Sequence, residues 1–208
     1  ALEAGSNGLD LANDIGPGLA KAAIAVSVNG IQKDLCDPIN EDSEVSIITI
    51  DSDEGLEIMR HTLTAQVLAR AVKNLYPDAK LAIGPTIKDG FYYDFEFVKS
   101  ITPDDLEKIE KEMQKIISSK SAITKKLHSK KDALNVFSSI GESYKESIIN
   151  ESGQEDNFQL YYQEDNAFVD LCRGPHLPSL KHIGAFKLTK LAGAYWKGDS
   201  KNKMLTRI

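Results

Sequence analysis

The sequence predicts an α+β fold in two parts: a small β-grasp lobe over residues 1–51, then a larger lobe over 52–208 whose sheet is mainly antiparallel. Three observations carry this. Helical and strand-like segments are mixed along the chain. The first stretch holds strand, helix and acidic loop with no cluster of catalytic residue types. The formal charge of −6 lies entirely in the first fifty residues, where Lys21 and Lys33 face eight acids, while the rest of the chain balances.

In the small lobe a short helix over Leu9 to Asp14 ends at the turn Gly16-Pro17-Gly18, and a strand over Ala22 to Val28 runs into Asn29-Gly30, a strong hairpin signal. A further strand, Val45 to Ile50, closes the unit. The opening strand of such a module is expected to be missing, since the chain begins almost directly on the helix. In the larger lobe Asp51-Ser52-Asp53-Glu54 caps a helix whose apolar residues recur at Leu56, Met59, Leu63, Val67, Ala71 and Leu75, up to Pro77. Phe91, Tyr93, Phe95 and Phe97 alternate with Tyr92, Asp94 and Glu96, the period of a strand with one face in the core. Thr102-Pro103-Asp104-Asp105 caps a second helix with Leu106, Ile109, Met113, Ile116 and Ile117 on one stripe. A short helix follows over 132–140, and strands are expected over 158–162, 168–171 and 185–191.

No stretch is long and apolar enough to span a membrane, and the chain opens without a signal-peptide pattern. Cys36 and Cys172 are too few and too far apart for a disulfide framework. A soluble cytoplasmic protein in a reducing compartment, with no membrane partner, is expected. Two basic runs, Lys120 to Lys131 and residues 181–208, are candidates to meet phosphates, although such runs are more often solvated faces.

The most informative segment is Asp170-Leu171-Cys172-Arg173-Gly174-Pro175-His176, where a Gly-Pro turn brings a thiol and an imidazole together next to a carboxylate. By spacing alone, Cys172 and His176 fit half a zinc site, a nucleophile with its base, or a core cysteine beside a surface histidine.

This segment resembles the DxCRGPH signature of threonyl-tRNA synthetases. Other matches stand in the family's order: Asp14-Ile15-Gly16-Pro17-Gly18-Leu19-Ala20-Lys21, Ile83-Gly84-Pro85, Gly90-Phe91-Tyr92-Tyr93-Asp94, Gly141-Glu142-Ser143-Tyr144-Lys145 and Ala192 to Asp199. The resemblance implies an N-terminal ubiquitin-like (TGS) domain followed by an editing domain that hydrolyses seryl-tRNA(Thr). It also implies a partner, the acceptor end of tRNA(Thr) carrying serine. The family's ATP- and zinc-binding threonine-activating core would lie beyond Arg207-Ile208, so no cofactor and no metal is assigned to this region. Homodimers in the family form through that core, so this region is expected to be monomeric.

By resemblance, Lys145, Asp170, Cys172 and His176 form the editing pocket with Tyr93 on its wall. His176 would position the attacking water, and Lys145 would stand near the terminal ribose or the developing charge. Asp170 would hold the serine ammonium or orient a partner, and Cys172 would shape the pocket. The family's editing helix usually carries His-x-x-x-His, whereas here the helix reads Arg60-His61-Thr62-Leu63-Thr64-Ala65-Gln66. Aligned from the left, His61 keeps the first histidine; aligned back from Pro77, Thr62 and Gln66 take the two positions. On a regular helix His61 and Gln66 are about 140° apart and cannot share a face. Thr62 and Gln66 are therefore expected to face the pocket; His61 is retained as a further binding candidate, with a place at the core margin beside Leu68 and Val72 as its duller reading. Seryl-tRNA hydrolysis is the leading expectation. A tRNA-binding module with decayed chemistry and a zinc-dependent alanyl-type editing protein are the alternatives; for the latter at most His61, Cys172 and His176 remain as ligands, since neutral Gln66 is a poor one, and a three-ligand zinc is the less-favoured mechanism.

Overall fold

The computed structural model describes residues 2–164 and 166–208. Helix α1 (Gly8–Ile15) starts where the Asn7 side chain accepts from the Leu9 and Asp10 backbone N–H groups while Asp10 answers back to Asn7, a reciprocal cap. Pro17 opens a second short helix, α2 (Pro17–Ala22), where a plain turn is expected. Strand β1 (Ala23–Val28) turns through Asn29 and Gly30, both at positive φ, into β2 (Ile31–Asp34), and β3 (Val45–Thr49) pairs on the other side of β1. The resulting sheet has the order β2-β1-β3, all antiparallel.

The long helix predicted before Pro77 exists, but not as one regular coil. Helix α3 (Asp53–Thr62), capped by Ser52, passes into a π-helical segment over Leu63–Leu68 and resumes as α4 (Ala69–Leu75). The Ala69 N–H reaches the Thr64 carbonyl, five residues back, so one extra residue is accommodated in the wide turn. Short strands follow: β4 (Lys80–Leu81), β5 (Thr86–Ile87), β6 (Gly90–Phe91) and β7 (Asp94–Glu96). Tyr93 and Phe95 are fully buried and stacked, as the alternation predicts.

Helix α5 (Asp105–Ser118) packs on α4. Strand β8 (Ile123–His128) and helices α6 (Lys130–Ser139) and α7 (Ser143–Glu151) lead to β9 (Phe158–Gln163) and β10 (Phe168–Leu171). Strands β8, β9 and β10 form an antiparallel sheet in the order β10-β9-β8. The expected strand over 185–191 is not formed, because the Leu188 N–H donates to the buried Glu110 carboxylate of α5 rather than to a neighbouring strand. The strands lie further on, in β11 (Ala192–Tyr195) and β12 (Met204–Arg207), which complete a sheet ordered β11-β12-β7-β4.

The basic run 120–131 is largely occupied within the fold. Lys125 pairs with Asp34 and Asp37, Lys126 lies over the Tyr162 ring and Lys130 pairs with Glu155. The two lobes share a core: Ile24, Ala25 and Ile48 of the small sheet close over Ile58 of α3 and over Leu177. Among the described residues no helix is long and apolar enough to cross a membrane.

Candidate functional site

A cavity of about 610 Å³ opens between the end of α3, the Ile83-Gly84-Pro85 segment, α7 and the β9–β10 sheet. His61, Tyr93, Lys145, Asp170 and Cys172 all border it. The antiparallel register sets Asp170 opposite Tyr161, and the next residues carry Cys172 to the mouth, its N–H on the Gln159 carbonyl. At Gly84 a side chain has no room, since a Cβ would stand 2.1 Å from the Tyr93 ring. The backbone thus closes directly on the tyrosine that forms the wall.

Lys145 projects from the first turn of α7 and its Nζ lies 2.7 Å from an Asp170 carboxylate oxygen, both side chains nearly inaccessible to water. The Tyr93 hydroxyl donates to the other oxygen at 3.0 Å, and burial beside this carboxylate holds the Tyr93 pKa well above its ordinary value. Tyr93 is therefore a neutral donor that fixes Asp170.

The histidines meet around Cys172. His61 Nε2 lies 2.8 Å from Cys172 Sγ, and the His61 and His176 rings are 4.4 Å apart. One ligand atom from each of His61, Cys172 and His176 lies within 4.8 Å of the other two. The single proton of the Thr62 hydroxyl goes to the Ile58 carbonyl, so Thr62 accepts from the Leu177 N–H and from His176 Nδ1, 3.1 Å away. His176 is therefore protonated on Nδ1, and its Nε2 lone pair is buried without a hydrogen-bond partner among the described residues. Burial pushes the pKa of both imidazoles down, with the neighbouring His61 lowering His176 further.

Two sequence expectations are corrected here. Gln66 does not face the cavity: it is buried in the core, where Gln163 donates to both its backbone carbonyl and its side-chain oxygen while Arg70 donates to Gln163. His61 takes the place expected for it. The physical reason is the π-turn, which absorbs the odd residue, so that the left-hand alignment holds before it and the right-hand one after it. Thr62 is also buried and holds His176 rather than bordering the cavity. Ala65, four residues after His61, lines the wall where a second imidazole was sought. His176 itself is 2% exposed and stands behind His61 and Cys172 instead of facing the cavity.

The second correction concerns metal. The assignment of no metal and no cofactor to this region is overturned by the His61–Cys172–His176 cluster. Two imidazole nitrogens and one cysteine sulfur match the donor set of a three-ligand zinc site, and the buried Nε2 of His176 has no hydrogen-bond partner among the described residues. These residues fit a zinc ion.

Sequence reasoning missed Asp34 and Tyr161. Asp34, at the end of β2, accepts from the His176 backbone N–H at 2.9 Å and from the Tyr161 hydroxyl at 2.7 Å, and the Tyr161 ring meets the His176 ring edge-on. A lone acid in an acidic segment carried no signal of this.

The fold and site define a TGS lobe joined to an aminoacyl-tRNA editing-type lobe. Residues 1–49 match the TGS domain family, and residues 159–208 match the "Threonyl and Alanyl tRNA synthetase second additional domain". The chain is 51% identical over 201 residues to the threonine–tRNA ligase of Acidithiobacillus ferrooxidans, covering 97% of this chain and 31% of the relative. It is 51% identical over 200 residues to that of Hahella chejuensis (96% and 31%) and 50% over 199 residues to that of Nitrosococcus oceani (96% and 30%). The chain belongs to the threonyl-tRNA synthetase family, as its N-terminal TGS and editing-associated region. It spans 31% of the length of the first curated relatives it matches.

Proposed function

We propose that this region, with residues 1–51 and 52–208 as its two domains, hydrolyses seryl-tRNA(Thr) as the editing part of a threonine–tRNA ligase. The observation that supports it best is the cavity in which Lys145, Asp170, Cys172 and His61 converge, inside a chain related throughout to such ligases. Serine and threonine differ by one methyl, and a binding pocket separates such pairs by only about 1 to 3 kcal/mol, so a second, hydrolytic site raises fidelity. The partner is the acceptor end of tRNA(Thr), and threonine activation falls to the rest of such a ligase.

In this reading the seryl ester enters between Tyr93 and Cys172. Lys145 faces the terminal ribose and the developing negative charge, while Asp170, held by Tyr93, keeps Lys145 in place and takes the serine ammonium. His61 borders the cavity and orients the attacking water. Thr62 locks His176, which in turn backs Cys172 and His61. A zinc ion held by His61, Cys172 and His176 would supply a Lewis acid and a water more easily deprotonated.

Ala65 supports a second reading, a tRNA-binding module with decayed chemistry, because an alanine offers no base beside His61. Deacylation of seryl-tRNA(Thr) and threonyl-tRNA(Thr) separates the two, with zinc content and chelator sensitivity measured in parallel. Turnover of the seryl ester with the threonyl ester spared is the expected result; binding of both without turnover would establish the second reading.

A further inference from the structure

The candidate site draws one of its supports from the other lobe. Asp34 is the last residue of β2, in the N-terminal sheet, yet it is 7% exposed and its carboxylate is spent on the larger lobe. One oxygen accepts from the His176 backbone N–H at 2.9 Å; the other accepts from Tyr161 at 2.7 Å and pairs with Lys125 of β8 at 2.9 Å. Tyr161 in turn sets its ring edge-on to the His176 imidazole, with centroids 4.5 Å apart. Between them lies Gly174 at φ +63°, where a Cβ would fall 1.9 Å from the Tyr161 hydroxyl and 3.3 Å from Asp34. Backbone and ring of His176 are thus both held through one carboxylate that the sequence places 142 residues away.

We propose that Asp34 is a positioning residue for the candidate hydrolytic site, fixing the His176 turn from the small lobe so that the TGS domain is a working part of that site. The inference rests on the proposed hydrolysis only for its kinetic readout. Asp34 touches neither the cavity nor a reacting atom; it acts through the His176 amide and the Tyr161 hydroxyl. Its neighbours are linked in turn: Lys125 is shared with Asp37, and the Asp34 N–H donates to the Asp37 carboxylate.

The test uses the full chain with Asp34→Ala and Asp34→Asn. Amide hydrogen exchange at His176 is followed by NMR, and seryl-tRNA(Thr) deacylation is measured for kcat and KM separately. Asp34→Ala is expected to speed His176 exchange and lower kcat about 10-fold with little change in KM, the scale expected when a site group is loosened by a fraction of an ångström. Asp34→Asn keeps an oxygen for the His176 N–H and is expected to restore most of both. Wild-type exchange and kcat in Asp34→Ala would overturn the proposal, as would an Asn variant as impaired as the Ala one. Should Asp34→Ala fail to fold, Tyr161→Phe decides, since it removes one hydroxyl and keeps the ring: faster exchange confined to residues around His176 supports the proposal, and unchanged exchange there overturns it. A wild-type chain inactive on seryl-tRNA(Thr) would sink the proposed function alone, and the exchange data would then decide this inference by themselves.

Discussion

Lys145 and Asp170 form an ion pair at the cavity wall with only 4% and 1% of their side chains exposed. Removing one partner of such a pair leaves a buried charge uncompensated, at a cost of about 3 to 5 kcal/mol, whereas replacing both with apolar residues costs less. Lys145→Ala is therefore expected to slow seryl-tRNA deacylation about 10²-fold and to lower stability, while Lys145→Met with Asp170→Leu recovers stability without activity. Urea unfolding and single-turnover kinetics on the same proteins check both halves. The buried imidazoles give a second expectation. Burial lowers the pKa of His61 and His176 from the ordinary 6.5, so as pH falls through that value the unfolded chain binds protons that the folded chain refuses. Their contribution to stability is present above 6.5 and lost on acidification toward the lowered folded values. The drop in melting temperature on acidification should be smaller in His176→Gln, and an equal drop would refute this account. Asp170, Cys172 and His176 were legible because a short motif holds them together. The burial of His176 was not, because it depends on Thr62, Tyr161 and Asp34, which are scattered through the sequence.

The decisive element is the π-turn between α3 and α4. The sequence recorded it only as a conflict between two registers, one counted from Glu54 and one from Pro77, because periodicity assumes a single coil geometry and no residue type announces a wide turn. The turn is fastened by Gln163, which binds the Gln66 carbonyl and side chain and accepts from Arg70 in a buried setting. The helix after Ser52 was legible because its cap and its apolar periodicity agree, and the helix after Thr102 from its apolar stripe alone, since Asp104 stands at its N-cap without a side-chain hydrogen bond; β8 was masked by Lys125 and Lys126, which fall between Ile123 and Leu127. Since Ala65 lines the cavity and Gln66 does not, Ala65→His is expected to tighten zinc binding about 10-fold, the scale on which changes around a metal act, and Gln66→His is not. Competition titration with a zinc-binding dye measures this; tighter zinc in Gln66→His would mean that the helix is regular.

At the scale of the whole molecule the two lobes are expected to unfold as one unit, because their boundary is apolar. Ile24, Ala25 and Ile48 on one side and Ile58 and Leu177 on the other are all nearly inaccessible to water, and Leu177 directly follows His176. Composition divides the chain where the acidic excess ends, but charge describes surfaces, and the cores of the lobes merge beneath them. A buried leucine cut back to alanine costs about 2 to 5 kcal/mol, depending on how far its surroundings can collapse. In this cluster the loss falls on the contact between lobes rather than within either one. Wild-type chain is expected to unfold in one transition, reported alike by Trp196 fluorescence in the larger lobe and by amide exchange of β1 in the smaller. Leu177→Ala should lower that transition and separate the two probes, with β1 exchanging through local opening before Trp196 responds. Seryl-tRNA hydrolysis should fall in parallel with the β1 opening, since a detached small lobe withdraws Asp34 from the His176 turn. If the two probes still coincide in Leu177→Ala, the lobes are joined mainly by the polar contacts of Asp34 and Lys125, and the apolar boundary is not what couples them.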